Sequence, residues 1–199
     1  MPLPTFRIAL AAAIMTASLS PALAGDGKQL FADKGCTACH GEDAVTPLEP
    51  GYPRLAGQNA DYLFNQMKDI KSGARANSLS AETMKPILDE VSEDEMRVLA
   101  DYLTGLTNPA LTATPAAGTG KQLYLTRTCV ACHGKEGKKP IMKTYPVLAG
   151  QDMRYAINQI TDIKTSARKN GATNAMQTVM HLVSDAEIAE IAAYLSSAK

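Results

Sequence analysis

Tryptophan is absent from the chain, and large aromatic side chains are scarce. Three Phe and seven Tyr account for 5% of the 199 residues. So few rings fill a core poorly, particularly in small domains, which bury a smaller share of their surface than large ones. The sequence therefore indicates that something other than side chains completes the core. The formal net charge is 0, and no nucleic-acid partner is expected.

Cysteine and histidine are also scarce, yet most of them fall in two short motifs. All four Cys and two of the three His occur in "KGCTACHG" (34–41) and "RTCVACHG" (127–134). Cys-x-x-Cys-His is the attachment signature of c-type haem: each thiol adds to one vinyl group, and the adjacent histidine ligates the iron. The sequence thus predicts two covalently attached haems c. The predicted attachment residues are Cys36, Cys39, Cys129 and Cys132, and the predicted iron ligands are His40 and His133.

Other uses of these motifs are less well supported. A disulfide across two intervening residues closes a tiny loop and gives little stabilisation, and it leaves the histidines unexplained. Thioredoxin-like chemistry requires a βαβ setting, which the sequence does not indicate. Structural zinc needs four ligands, and each motif offers three.

The N-terminus indicates export. Arg7 precedes an apolar run from Ile8 to Met15, and Ala22-Leu23-Ala24 supplies a small-residue cleavage site. This order is typical of a signal peptide, and the run is short for a transmembrane helix. We expect cleavage after Ala24 and a periplasmic mature protein, with a retained N-terminal anchor as the alternative. A secreted cytochrome is also compatible with peripheral association at a membrane.

The chain repeats itself. "GKQLFADKGCTACHG" from Gly27 matches "GKQLYLTRTCVACHG" from Gly120 at an offset of 93 residues, and the offset becomes 92 after Asn77. Two copies are too few for a solenoid, so they indicate a duplicated domain. The predicted organisation is a leader (1–24), a first domain (25–106), a linker (107–119) and a second domain (120–199).

Each copy is predicted to be helical. Short first helices are expected over 26–34 and 120–127, and second helices over about 59–71 and 152–164. Ser92 and Ser184 each precede a glutamate by three residues, which is a capping box before a final helix. No stretch alternates as a strand would. The predicted fold class is all-α.

The second axial ligands follow from the shortage of histidine. Bis-histidine ligation of two irons needs four histidines and only three exist, so methionine is the usual remaining choice. Met84 and Met176 alone occupy equivalent positions, each eight residues before a capping serine in what resembles a mobile loop. They are the predicted ligands. His181 is the alternative ligand at the second iron, an influence of Met180 on that haem is left open, and the remaining methionines are expected to fill the core.

These features together resemble the cytochrome c4 family of dihaem electron carriers. The resemblance rests on both haem motifs, on "YPRLAGQ" (52–58) and "YPVLAGQ" (145–151), and on "DIKSGARAN" (69–77) and "DIKTSARKN" (162–170). It implies two tandem class I cytochrome c domains, each with one haem c, packed with the haem edges facing. By analogy, four residues would hydrogen-bond the haem propionates, with ordinary surface packing as the alternative: Tyr52, Tyr145, Arg75 and Arg168.

The resemblance implies a periplasmic carrier between a quinol-oxidising complex or dehydrogenase and a terminal oxidase or reductase, such as a cbb3-type oxidase. The alternatives are a small dihaem oxidoreductase and the electron-accepting subunit of a dehydrogenase. We expect a carrier rather than an enzyme, because His/Met ligation leaves no open iron position.

Charge separates the two halves of the chain. Residues 25–112 carry 8 basic and 14 acidic side chains, and residues 113–199 carry 11 and 6. We therefore expect a dipolar molecule whose two ends dock different redox proteins. Four residues are predicted to form the basic docking face: Lys135, Lys138, Lys139 and Lys143.

Overall fold

A computed structural model describes Met1, residues 26–78 and residues 80–198. Apart from Met1, the expected leader lies outside these residues, as does its cleavage site. The described part contains helices and no strand, in agreement with the all-α prediction. In the first domain the helices are α1 (Gly27–Asp33), α2 (Thr37–His40), α3 (Ala60–Ser72), α4 (Lys85–Asp89) and α5 (Glu93–Gly105). In the second they are α6 (Thr119–Thr126), α7 (Cys129–His133), α8 (Met153–Lys164), α9 (Thr173–Met180) and α10 (Asp185–Ser196).

Both domains are built in the same way. The first and third helices of each domain pack against its last helix, α5 or α10. The last helices begin at the predicted capping boxes, in which Ser92 accepts from Glu95 N and Ser184 from Glu187 N. Their apolar faces form the two cores, with Met96 and Leu99 buried in the first. The helices predicted from periodicity therefore lie within a residue or two of their expected positions.

Glycine permits the close crossing of the first and last helices. A Cβ on Gly27 would lie 2.3 Å from Tyr102 Cβ, and a Cβ on Gly120 would lie 2.1 Å from the Glu190 carbonyl oxygen. No side chain fits at either crossing. The two glycines stand at equivalent positions of the repeat, so both copies use the same device.

The stretches around the candidate methionines are helical rather than loop-like, which corrects the sequence expectation. Met84 ends a π-helical turn, Ser80–Met84, that leads directly into α4, and Met176 lies within α9. Pro86 does not interrupt α4 because it occupies the first turn, where a missing N–H costs nothing.

The linker is packed rather than free. Asn108 caps a 3-10 turn over Pro109–Leu111 by accepting from Ala110 N at 3.0 Å, and it donates to Ala56 O at 3.0 Å. Ala110 is buried with Ala149 and Ala198 of the second domain. The segment between the copies thus contacts both of them.

Two glutamines join the domains across a pseudo-twofold axis. The Gln58 side chain accepts from Val147 N at 2.7 Å and donates to Val147 O at 2.9 Å. The Gln151 side chain makes the same pair of bonds to Arg54 N and Arg54 O, at 2.8 and 3.1 Å. Each glutamine amide therefore pairs with both the backbone N–H and the carbonyl of one residue in the opposite domain, as a neighbouring β-strand would. The repeated "LAGQ" segment is an interdomain clamp.

Candidate functional site

Each Cys-x-x-Cys-His motif forms a single helical turn. Cys36 precedes α2 and accepts from His40 N at 3.0 Å, while Cys129 is the first residue of α7. One turn of helix places both cysteines of a motif and its histidine around a common opening. All four cysteines lie in the described part of the chain, and none of them is in a disulfide.

The first thiol of each motif is poorly suited to zinc binding or dithiol redox chemistry. Burial raises the pKa of Cys36 and of Cys129 to about 11, and both functions require the thiolate. Among residues 26–78 and 80–198, no three side chains of His, Cys, Asp or Glu converge as a metal site.

A proline carbonyl orients each motif histidine. His40 Nδ1 lies 3.0 Å from Pro53 O, and His133 Nδ1 lies 3.3 Å from Pro146 O. Burial lowers the pKa of both imidazoles, so the rings are neutral at pH 7. A neutral ring that donates from Nδ1 presents its Nε2 lone pair, the arrangement that ligating histidines use.

The two motifs open into one continuous cavity of about 630 Å³. It is lined by residues of both domains, including both cysteines and the histidine of each motif. The candidate ligands Met84 and Met176 line it, on the sides of the first and second domain cores respectively. An apolar, largely preformed cavity of this volume is typical of a cofactor site.

Other methionines also reach the cavity, so lining alone does not select the ligands. Met67 lines it in the first domain and Met180 in the second, but their equivalents in the repeat are Ile160 and Leu88. His181 is exposed at the end of α9 and is not among the lining residues. The repeat still points to Met84 and Met176.

Two buried arginines cross the domain boundary beside the cavity, each 6% exposed. Arg75 Nη2 donates to Gln159 Oε1 at 2.8 Å and to Tyr155 OH at 3.2 Å. Arg168 makes the equivalent bonds to Gln66 and Tyr62, at 2.7 and 3.3 Å. Surface packing is therefore the wrong interpretation for these two arginines.

The arginine pair makes the cavity electropositive. Within the described residues neither Arg75 nor Arg168 forms an ion pair. The carboxylates of Asp69 and Asp162 accept instead from Asn170 and Asn77. Two guanidinium charges removed from water without a counter-ion favour an anionic occupant. Tyr52 and Tyr145, the other residues assigned by analogy, lie beside the histidines, with ring centroids 6.5 and 6.3 Å away.

The site has unused polar atoms that fit such an occupant. Within the described residues two buried side-chain atoms lack a hydrogen-bond partner, Arg54 Nε and Thr173 Oγ1, and both residues line the cavity. The paired thiols, oriented imidazoles, apolar walls and buried cations match what haem c presents: two vinyl groups, an iron, a porphyrin ring and two propionates.

Comparison with known proteins agrees with this geometry. The sequence profile of the family described as Cytochrome c matches residues 24–107 and again 117–199. Cytochrome c4 of Azotobacter vinelandii is 32% identical over 188 residues, covering 87% of each chain. The chain belongs to the cytochrome c4 family. It is also similar to a "Thiosulfate dehydrogenase electron acceptor" of Stutzerimonas stutzeri, 33% identical over 194 residues and 88% of each chain.

Solved structures extend the match from sequence to fold. The cytochrome c4 of Acidithiobacillus ferrooxidans superimposes with a TM-score of 0.73 at 30% identity, over 84% of this chain and 99% of that one. As a member of this family, the protein is a dihaem electron carrier with two covalently bound haems c. The predicted fold class, cofactors and carrier function are thereby confirmed. None of the described helices is both long and apolar enough to cross a bilayer.

Sequence reasoning did not assign the residues that position the candidate ligands. Pro53 and Pro146 orient the histidines, and Gln58 and Gln151 fix the loops that carry those prolines. Their signal was visible as the repeated "YPxLAGQ" element, but a backbone carbonyl has no sequence signature of its own.

Proposed function

We propose that the two haems are attached and ligated by equivalent residues of the two domains. Cys36 and Cys39 attach the first, and Cys129 and Cys132 attach the second. His40 with Met84, and His133 with Met176, supply the axial ligands. The observation that carries this proposal is the pairing of an oriented imidazole with the one repeated methionine on each side of the cavity.

Such ligation suits a carrier. Bound haem supplies a one-electron Fe(III)/Fe(II) couple. A neutral imidazole and a thioether of the chain would ligate each iron, the apolar walls would exclude water, and no position would remain for a substrate. A dihaem oxidoreductase, the alternative, requires an open or labile position.

Spectroscopy of the purified holoprotein tests the ligands. We expect the oxidised protein to show the methionine-sulfur charge-transfer band in the far red, and the reduced protein to resist carbon monoxide at neutral pH. Met84→Ala and Met176→Ala should each remove about half of the band. Met67→Ala and Met180→Ala are matched controls, since both side chains line the same cavity and should leave the band intact. Rapid carbon monoxide binding by the unmodified protein would refute closed ligation.

We propose that the physiological donor is a periplasmic dehydrogenase or a quinol-oxidising complex, and that the acceptor is a membrane-bound oxidase such as the cbb3 type. The similarity to a thiosulfate dehydrogenase electron acceptor supports a dehydrogenase as donor. A permanent place as the accepting subunit of such an enzyme is the second candidate, favoured by the same similarity. Co-purification of the mature protein with its partners from native membranes distinguishes a shuttle from a subunit.

The docking faces proposed for these partners lie beside the second cysteine of each motif. Leu48 N donates to Cys39 O and Ile141 N to Cys132 O, at 3.1 and 3.0 Å. These equivalent aliphatic side chains are 63% and 67% exposed. Acidic residues follow the motif in the first domain and lysines in the second, which supports partners of opposite charge.

Lys138 does not belong to the basic face. Its Nζ lies 2.7 Å from Glu136 Oε2 and donates to Ala113 O at 2.6 Å, and its side chain is 16% exposed. The other three lysines are exposed: Lys135, Lys139 and Lys143.

Replacing Lys135, Lys139 and Lys143 with Gln should slow electron transfer with one partner. The rate with that partner should also vary less with salt concentration. The control is neutralisation of Lys28 and Lys85, which are basic residues of the first domain. Unchanged rates and salt dependence with both partners would contradict the docking assignment while leaving the haem ligands untouched.

We propose export to the periplasm with cleavage after Ala24. Mass spectrometry of the protein from a periplasmic extract should give a chain that begins at Gly25 and carries two haems. A haem-loaded protein that retains the leader would support the anchored alternative.

A further inference from the structure

One cation beside the cavity has no counterpart in the second domain. Arg54 follows Pro53, the residue whose carbonyl orients His40, and its repeat equivalent is Val147. The two buried arginines described above occur in both copies. Arg54 therefore makes the two haem environments electrostatically different at close range.

The position of Arg54 is fixed by the opposite domain. The Gln151 side chain accepts from the backbone N–H of Arg54 at 2.8 Å and donates to the Arg54 carbonyl at 3.1 Å. Its guanidinium lies at the domain boundary, where Nη1 is 3.5 Å from the point that a Cβ on Gly150 would occupy. The backbone at the base of the side chain is thus anchored, and its tip lies beside Gly150 of the second domain.

The Arg54 side chain has an unmet bonding requirement. Nε is buried, has no partner within the described residues, and belongs to a residue that lines the cavity. A buried charged donor without an acceptor is costly. An anionic group in the cavity would supply the acceptor that the described residues do not provide.

We propose that Arg54 binds a propionate of the first-domain haem and raises the reduction potential of that haem. Reduction removes one positive charge from the iron centre, so a fixed cation nearby stabilises the reduced state. This inference rests on the proposed placement of one haem in each domain.

Arg54 opposes the surface charge of its own domain. Residues 25–112 carry a net charge of −6 and residues 113–199 carry +5, which by itself lowers the potential of the first haem relative to the second. Exposed charges are screened within about 8 Å at physiological ionic strength, whereas a half-buried guanidinium whose Nε atom is out of contact with solvent is screened less. The contribution of Arg54 therefore persists in salt as the surface contribution fades.

The test is a spectroelectrochemical titration of the holoprotein, with each potential assigned to its domain by NMR of the haem resonances. Loss of one charge from a partly buried site, where the effective dielectric constant is about 20, predicts that Arg54→Gln lowers the first-domain potential. The expected shift is about 59 mV, equivalent to a tenfold change in the one-electron equilibrium constant. Arg54→Lys keeps the positive charge, so the first-domain potential of this variant should stay close to that of the unmodified protein.

The matched control is Arg97→Gln, which removes an arginine of the same domain that is paired with Asp61 and 43% exposed. It should change neither potential appreciably in 0.5 M salt. Unchanged potentials in Arg54→Gln, or a shift confined to the second-domain haem, would overturn the inference. A purely structural role would lower the melting temperature without moving a potential. Failure of the haem ligation itself is visible separately, as loss of the far-red band in the unmodified protein.

Discussion

The glutamine clamps predict an unequal cost for two equivalent substitutions. Gln58→Ala removes three hydrogen bonds: two to the backbone of Val147 and one from Asn59 N at 3.0 Å. Gln58 is 6% exposed and Val147 is 7% exposed, so water cannot replace the lost partners. Two backbone groups left buried and unsatisfied cost about 1–3 kcal/mol each, and we expect a loss of about 3–4 kcal/mol.

Gln151→Ala should cost less. It removes the corresponding bonds to Arg54, and a third from Asp152 N at 2.9 Å. Gln151 and Arg54 are only half-buried, so solvent satisfies part of the exposed backbone. We expect a loss of about 1–2 kcal/mol.

Denaturant unfolding of the holoprotein, followed both by far-UV circular dichroism and by haem absorbance, measures both values. Loss of the clamp should also separate the unfolding of the two domains, because the bonds that it breaks join them. Equal costs for Gln58→Ala and Gln151→Ala, or a cost below about 0.5 kcal/mol for the buried glutamine, would refute the argument.

Three further predictions concern single side chains. Gly120→Ala should destabilise the second domain by about 1–3 kcal/mol, as overpacking does, because its Cβ would meet Glu190 O; thermal melting measures this. The Ser184 backbone N–H, and then Arg127, lower the pKa of Glu187 to about 2, so its stabilising contribution is complete above pH 4.5 and is lost as pH falls towards 2. In Glu187→Gln, the free energy of unfolding should therefore fall less steeply between pH 4.5 and pH 2 than in the unmodified protein. Asn108→Ala should cost about 1–2 kcal/mol by removing two buried hydrogen bonds of the linker.

Each of these predictions has a control or a contradicting result. Gly105→Ala places a Cβ where no atom lies within 4 Å, so it should be nearly neutral. If the stability of Glu187→Gln falls as steeply with acid as that of the unmodified protein, the Glu187 carboxylate is not the cause of the loss. A neutral Asn108→Ala would mean that the linker bonds are replaced by water.

The sequence predicted the parts of the fold that depend on local chemistry. Capping serines, apolar periodicity and the two haem motifs act over a few residues, so Ser92, Ser184, His40 and His133 could be located without a structure. The helical state of Met84 and Met176 could not, because their segments lack a strong cap and are stabilised by packing against the domain cores. The hydrogen bond from Lys138 could not be predicted either, since its acceptor, the Ala113 carbonyl, lies 25 residues away.

The repeat carries more information than the haem motifs alone suggested. Of the segments shared by the two copies, "PxLAGQ" and the Arg-x-Asn ends of "DIKSGARAN" and "DIKTSARKN" make their principal side-chain bonds to the other copy. A domain alone would leave Gln58 without its two bonds to Val147 and Arg75 without its bonds to Gln159 and Tyr155. These segments are therefore alike because they meet across a pseudo-twofold axis, where each copy must both offer and receive the same contacts. Within that symmetric frame, a single unpaired difference such as Arg54 opposite Val147 suffices to make the two haem sites unequal.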